Sequence, residues 1–323
     1  MKKICLLFGG NTEEHAISCK SAKTIIDNIN NNKYELTTVG IDTDKHWYLF
    51  EDNPEMLENN TWKEGNITLI ENIPKYLKSF DKIFPIIHGI PEENGNLQAL
   101  FDLFNINYIG SNQLSSIISY DKELTKIILN HYNIPQVPYI TIKEPKKLKS
   151  IDIDFPVIVK PAKGGSSVGI NISNNIKELN EHTAIAFKYD NKVIIEKYIK
   201  SRELECAILE DKKIHVSNIG EIISSNKFYD YEAKYQKESK LIIPANIPDE
   251  LIKEIQDLSL KIFDILDCKN LARIDFLYDY NNHVLYFNEI NTMPGFTNLS
   301  MYPLLFKDKN ISLKKLITKL IEN

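Results

Sequence analysis

The run Ile4-Cys5-Leu6-Leu7-Phe8, closed by Gly9-Gly10, constrains this chain more than any other feature. Consecutive apolar residues leave a strand no wet side, so this one must be covered on both faces. The paired glycines then permit a sharp turn. From His15 to Asn30 the apolar residues Ile17, Cys19, Ala22, Ile25, Ile26 and Ile29 recur at helical spacing, and Tyr34 to Ile41 reads as the next strand. Strand, glycine turn, helix and strand in that order open a parallel α/β sheet. Ligands of such sheets gather at the C-terminal ends of the strands, which places Gly9 to His15 beside one. Lys82 to Ile87 is a further buried strand ending in His88-Gly89, and Asn96 to Phe104 a short helix.

With 323 residues the chain exceeds one ordinary domain. Hydrophobic residues at 43% and charged residues at 26% are globular values and exclude disorder. A net charge of -5 argues against a surface built to coat nucleic acid or an anionic membrane, although a few converging lysines and arginines can still hold an anion. Cys5, Cys19, Cys206 and Cys268 are scattered without a CxxC pair, which speaks against a disulfide framework or structural zinc. They read as apolar fillers in a reducing compartment. The apolar run at the N-terminus is too short for a signal peptide, and no stretch is long and apolar enough to cross a bilayer, so the expected location is the cytoplasm.

Near Gly110 the texture changes. Asp121 to Tyr132 reads as a helix stopped by Pro135 and Pro138. Val157–Lys160, Val168–Asn171, Val193–Glu196 and Leu204–Leu209 read as strands of a second sheet, interrupted by a helix over Asn175–Tyr189. Ser224 to Ser239, rich in Tyr, Lys and Glu without a period, reads as a functional loop. Asp249 to Leu266 is an amphipathic helix, Leu271–Leu277 and Val284–Asn288 pair through Asp279-Tyr280-Asn281-Asn282, and Leu313–Glu322 is a last helix.

Three groups of residues point to chemistry. Lys160-Pro-Ala-Lys-Gly-Gly-Ser-Ser-Val-Gly169 can turn several backbone N–H groups toward an anion while its lysines add charge. It lacks the GxxxxGK[ST] pattern of the P-loop, and its glycines equally suit a tight hairpin. Arg273-Ile-Asp275 and Asn288-Glu-Ile-Asn291 lie on successive strands. Alternation puts Arg273 with Asp275, and Glu289 with Asn291, on one face. Two carboxylates and an amide oxygen suit a hard cation such as Mg²⁺, and a nearby arginine offsets charge on a transferred group; a solvated face of ion pairs is the alternative. Glu13-Glu14-His15 opens the first helix, where the dipole alone favours acids and where Glu14 can instead hold an ammonium. His88 at a strand end is either a core histidine or a ligand contact.

These blocks, in this order, resemble the D-alanine–D-alanine ligase family of the ATP-grasp superfamily. The resemblance runs through Phe8–Ser18, His88–Gly95, Gly110-Ser111 with Asp121-Lys122, Lys160–Gly169, Glu196 with Arg202-Glu203, Phe228–Tyr235, Arg273–Asp275 and Asn288–Thr297, nearly the whole chain. It implies an α/β fold of three domains: an N-terminal parallel α/β domain (1–111), a central domain (112–195) and a C-terminal domain (196–323) carrying a lid loop (224–245). ATP is clamped between antiparallel sheets of the last two. Lys122 and Lys160 resemble the phosphate-binding lysines, and Ser166 and Ser167 the loop closing over the γ-phosphate. Glu196, Lys197 and Ile199 resemble the adenine hinge, Glu203 the ribose ligand, and Lys234 and Asn288 further ATP-site residues. Asp275, Glu289 and Asn291 resemble the ligands of two Mg²⁺ ions, for which Mn²⁺ is a possible substitute. Glu14, Ser166 and Tyr235 match the closure triad, and Glu14 also anchors the first substrate's ammonium. Arg273 and the Gly295 N–H stabilise the oxyanion, while His88, Lys234, Ser300 and Met301 lie near the amino-acid subsites.

The implied reaction is ATP-dependent ligation of two D-alanines through an acyl phosphate, supplying a cell-wall precursor, by an enzyme that is typically a homodimer. D-serine as acceptor, another ATP-grasp carboxylate–amine ligase and a catalytically dead nucleotide-binding protein are the competing readings. Intact Lys160, Asp275, Glu289 and Asn291 argue against the last. Tyr235 favours alanine over D-lactate, and Met301 resembles ordinary D-alanine ligases. The departures are Thr12 for serine, Glu92 for glycine and Asn94 for aspartate.

Overall fold

The computed structural model describes residues 1–223 and 240–323. Strand β1 (Lys2–Gly9) runs between β2 (Tyr34–Ile41) and β5 (Lys82–Pro85), parallel to both. Antiparallel β3 (Trp47–Phe50) and β4 (Ile67–Leu69) extend the sheet to the order β4-β3-β2-β1-β5. The side chains of β1 alternate between two cores. Ile4, Leu6 and Phe8 meet Cys19, Ala22 and Ile25 of helix α1 (His15–Asn28), whereas Cys5 and Leu7 share a core with Leu97 and Phe101. That double cover is why the run contains no polar residue. Gly9 turns out of the strand at φ +93°, where a Cβ would lie 2.2 Å from the Ile41 carbonyl oxygen, so only glycine fits. Short helices α2 (Glu55–Glu58) and α3 (Ile73–Leu77) and then α4 (Asn96–Leu103) complete this part.

Beyond it, α5 (Gln113–Tyr120) leads to α6 (Lys122–His131), whose first N–H groups are capped by the Asp121 carboxylate. An antiparallel sheet follows from β6 (Tyr139–Ile142), β7 (Val157–Pro161), β8 (Asn171–Ser173) and β9 (Val193–Lys197), in the order β6-β9-β7-β8, with α7 (Ile176–Ala186) packed on it. The third sheet, also antiparallel, joins β10 (Arg202–Glu210), β11 (Ile214–Ile223), β12 (Lys240–Ile242), β13 (Leu271–Asp279) and β14 (Val284–Asn291) in the order β12-β11-β10-β13-β14. Helix α8 (Asp249–Ile265) covers one face, and α9 (Met301–Asp308) and α10 (Leu313–Glu322) the other. Leu204, Cys206 and Ile208 of β10 enter the α8 core, and Ala207 and Leu209 the opposite one, the same double cover as in β1.

Two expectations change. Leu204–Leu209 is not in the sheet of β7 and β9. It pairs with β11 and β13, because residues 198–201 carry the chain from the second sheet to the third. The strand expected at Val168 begins only at Asn171. Ser166 and Ser167 hold φ of +51° and +59° between left-handed Gly164 and Gly169, which makes the stretch a loop rather than a two-residue turn. Residues 224–239, including Lys234 and Tyr235, lie outside the described residues.

Candidate active site

The second and third sheets face each other across a cleft lined from both sides. On one side, Lys160 is the penultimate residue of β7 and is 5% exposed. Its Nζ lies 2.7 Å from Glu196 Oε2 of β9, while Lys126 Nζ lies 2.8 Å from Oε1 of the same carboxylate. Burial alone would push the Glu196 carboxyl up, but the two ammonium groups outweigh it and pull it down to about 2. Lys122, the first residue of α6, donates from Nζ to the Gly164 carbonyl at 2.7 Å, and its backbone N–H to Ala162 O ties the helix start to the glycine–serine loop. Burial lowers the Lys122 ammonium, with Glu289 acting in the opposite sense. Gly164, Gly165, Ser166 and Ser167 line the same space.

The facing wall is a row of acids. Glu205 on β10 pairs in register with Asp275 on β13, which pairs with Glu289 on β14. Arg273 closes on this row: Nε donates to Asp275 Oδ1 at 2.8 Å, Nη2 to Oδ2 at 2.7 Å, and Glu205 Oε2 lies 2.8 Å from Nε. Burial alone would lower the Arg273 guanidinium, but the carboxylates of Asp275 and Glu205 raise it well above its ordinary value. The register shifts after Asp275, so that Asp275 opposes Glu289 and Phe276 opposes Phe287. The extra residue is Asn288. Strict alternation would send Asn288 and Glu289 to opposite faces, yet the bulge brings both to the cleft. Asn291 Nδ2 donates to Asp275 Oδ2 at 3.2 Å, which leaves its amide oxygen for another partner. Asp275, Glu289 and Asn291 thus offer hard oxygen donors from adjoining strands, a set that fits Mg²⁺.

Glu14 joins the N-terminal sheet to the loop: Ser166 Oγ donates to Glu14 Oε1 at 2.5 Å. Nearby, Thr12 Oγ1 donates to the His88 carbonyl at 2.9 Å. The His88 ring is buried. Its Nδ1 lies 3.2 Å from Met293 O and its Nε2 2.9 Å from Ser21 Oγ. Ser21 in turn accepts the Phe296 N–H at 3.3 Å, so His88 and Ser21 brace the 293–296 turn that contains Gly295. Ser300 Oγ accepts from the Thr297 N–H at 3.0 Å and faces Gly295. Met301 points into the core: a Cβ on Gly220 would lie 2.5 Å from its Sδ.

The cleft collects Lys122, Lys160, Ser166, Ser167, Glu196, Lys197, Glu203, Arg273, Asp275, Asn288 and Glu289. Glu14 and Asn291 join through Ser166 and Asp275. Ile199 lies in the 198–201 connection between the sheets, while His88 meets the 293–300 segment through the Met293 carbonyl and Ser300 faces Gly295 within it. Two family models match the chain, D-Ala D-Ala ligase N-terminus over residues 3–111 and D-Ala D-Ala ligase C-terminus over residues 128–322. The chain belongs to the D-alanine–D-alanine ligase family. A relative from Thermoanaerobacter sp. (strain X514), named D-alanine--D-alanine ligase, is 40% identical, covering 99% of this chain and 95% of its own. Among solved structures, the VanG D-Ala:D-Ser ligase of Enterococcus faecalis superposes with a TM-score of 0.89 at 34% identity, over 99% of this chain and 98% of that one. The D-alanine-D-alanine ligase from Coxiella burnetii does so with 0.85 at 31% identity, over 100% and 94%.

Three ionisable residues escaped the sequence reading of this family member. Lys126 follows Lys122 by one helical turn, and Glu205 follows Glu203 by one strand period, so both share a face with a residue already singled out. Glu93 stands beside Glu92 in the block after His88. Burial and the nearby Glu14 charge raise its carboxyl to about 7.

Proposed function

We propose that this protein joins two D-alanines into D-alanyl-D-alanine at the expense of ATP. The observation that carries the reading is the opposition of Lys122, Lys160 and the glycine–serine loop to the Glu205–Asp275–Glu289 row, with Glu14 bonded to that loop. Lysines and loop N–H groups suit the phosphates, and Glu203 with the 196–199 segment suits the nucleoside. Two Mg²⁺ ions, or Mn²⁺ in their place, held by Asp275, Glu289 and Asn291 supply charge neutralisation on the phosphate oxygens.

A carboxylate resists attack by an amine until its oxygen becomes a good leaving group. Transfer of the γ-phosphoryl group to the first D-alanine provides one. Lys160 and Lys122 hold the donor in place and offset its charge. Glu14 receives the ammonium of that D-alanine, and the amine of the second D-alanine attacks the acyl phosphate. Arg273 has committed Nε and Nη2 to carboxylates, so Nη1 and the Gly295 N–H meet the tetrahedral oxyanion. Phosphate then departs. The Ser166–Glu14 bond closes the loop over an intermediate that water would hydrolyse, and Tyr235 completes that closure. The sequence divides into domains at 1–111, 112–195 and 196–323, and the enzyme works as a cytoplasmic homodimer. No described helix is long and apolar enough to cross a membrane.

The test is ADP and phosphate release with ATP and Mg²⁺, with and without D-alanine, and mass analysis of the product. Turnover that needs D-alanine and yields its dipeptide supports the reading. ATP hydrolysis indifferent to D-alanine overturns it, and a higher kcat/KM with D-serine as the second substrate moves the protein to that acceptor.

A further inference from the structure

We propose that Lys126 is a positioning residue for the nucleotide, acting through Glu196 on Lys160. The inference rests on the reading of the cleft as an ATP site. Helix α6 presents Lys122 and Lys126 on one face, one turn apart. Lys122 lines the cleft, whereas Lys126 sits behind it, 1% exposed, with its ammonium 5.1 Å from the Tyr139 ring centroid. A lysine is almost never buried to this degree without a partner. Its partner is Glu196 Oε1 at 2.8 Å, and the other oxygen of Glu196 takes Lys160 at 2.7 Å.

One carboxylate therefore serves two ammonium groups, and with Lys122 nearby the cluster carries more positive than negative charge. That excess matches a polyphosphate. The shared geometry also divides the pull of Glu196. With both its oxygens engaged, the carboxylate is clamped between α6 and β7, and Lys160 keeps attraction to spare for a phosphate oxygen. Without Lys126 the Glu196 charge falls on Lys160 alone. The two close into an ordinary pair, and Glu196 Oε1 is left buried without its cation. Lys126 then governs nucleotide affinity while touching no ligand.

A purely packing role predicts something different, namely lost stability with unchanged affinity for the nucleotide that remains bound by folded protein. The experiment measures ADP affinity by calorimetry, KM for ATP and for D-alanine, and the melting temperature, in wild type, K126M, K126Q and K126R. Wild type is measured first: if it binds no ADP, the nucleotide reading itself fails, independently of Lys126. Given binding, K126M weakens ADP and raises the ATP KM about tenfold. KM for D-alanine stays within about twofold, and K126R, which restores the charge, recovers most of the affinity. K126Q keeps a donor for Oε1 without charge and falls between them, and it is the variant to use if K126M does not fold. ADP affinity within about twofold of wild type in either folded neutral variant overturns the proposal. So does a K126R protein that folds yet is as impaired as the neutral variants.

Discussion

Lys160 lies 2.7 Å from a carboxylate and at the wall of the cleft, so its charge is shared between the protein and any phosphate that enters. K160M removes the ammonium while keeping most of the apolar stem. It is expected to raise the ATP KM and lower kcat by about a hundredfold, the usual scale for losing one preorganised charge. Steady-state kinetics on folded protein checks this, and unchanged ATP kinetics would remove Lys160 from the site. Glu92 poses the opposite problem. It is fully buried, its Oε1 accepting from Gln98 Nε2 at 2.7 Å, and burial raises its carboxyl well above the ordinary 4.5. Above that pH the unfolded chain has lost this proton and the native chain retains it, so native stability falls as pH rises toward the folded value. E92Q has no proton to lose. Its melting temperature relative to wild type should climb between pH 5 and pH 8, and a pH-independent difference would contradict the buried neutral acid.

Elements bring these residues to one place. Helix α6 sets two lysines a turn apart, and the bulge in β14 turns Asn288 to the cleft alongside Glu289. The glycine–serine loop docks on α1's entry through Ser166 and Glu14. S166A deletes that bond and leaves the loop backbone in place. The expected result is a kcat/KM for D-alanine lower by about tenfold with ADP affinity changed by less than about threefold, read from kinetics and calorimetry. Strand β11 meets α9 where Gly220 lies against Met301. A methyl group there would lie 2.5 Å from Met301 Sδ, inside a filled core. G220A is expected to cost about 1–3 kcal/mol of stability, seen as a lower denaturation midpoint, with kinetic constants of the folded enzyme near wild type.

For the whole molecule, the site depends on three layers at once: the start of α1, beside the first sheet, supplies Glu14, the second sheet Lys160 and Glu196, the third Arg273, Asp275 and Glu289. Its charges also set acid stability. The folded value of the Glu196 carboxyl, about 2, lies below its ordinary 4.5. The native state therefore binds fewer protons than the unfolded state between those values, and the stabilisation present above pH 4.5 is lost as pH falls through that interval. Denaturation of the ligand-free protein should show stability falling from about pH 5 to pH 3. E196Q should flatten this limb even if it starts from lower stability, and an equally steep limb would place the titration elsewhere.

The residues alone determined the first sheet's opening, because an uninterrupted apolar strand beside paired glycines has few ways to fold, and β1, α1 and β2 lie where the periodicity puts them. They also determined the β13–β14 hairpin, since the turn at Asp279 fixes the pairing as far as Phe276 with Phe287, whereas the bulge at Asn288 that sets Asp275 opposite Glu289 is not written in that turn. What the sequence could not specify was partnership between distant segments. Local alternation says that Leu204–Leu209 is a strand but not which sheet receives it, and only the 198–201 crossing settles that. Nor does a lysine in a helix announce that its ammonium is buried against a carboxylate 70 residues away, as Lys126 is against Glu196. Such a pair is decided when two sheets and a helix close around it, because only then does burial make the charge choose a partner.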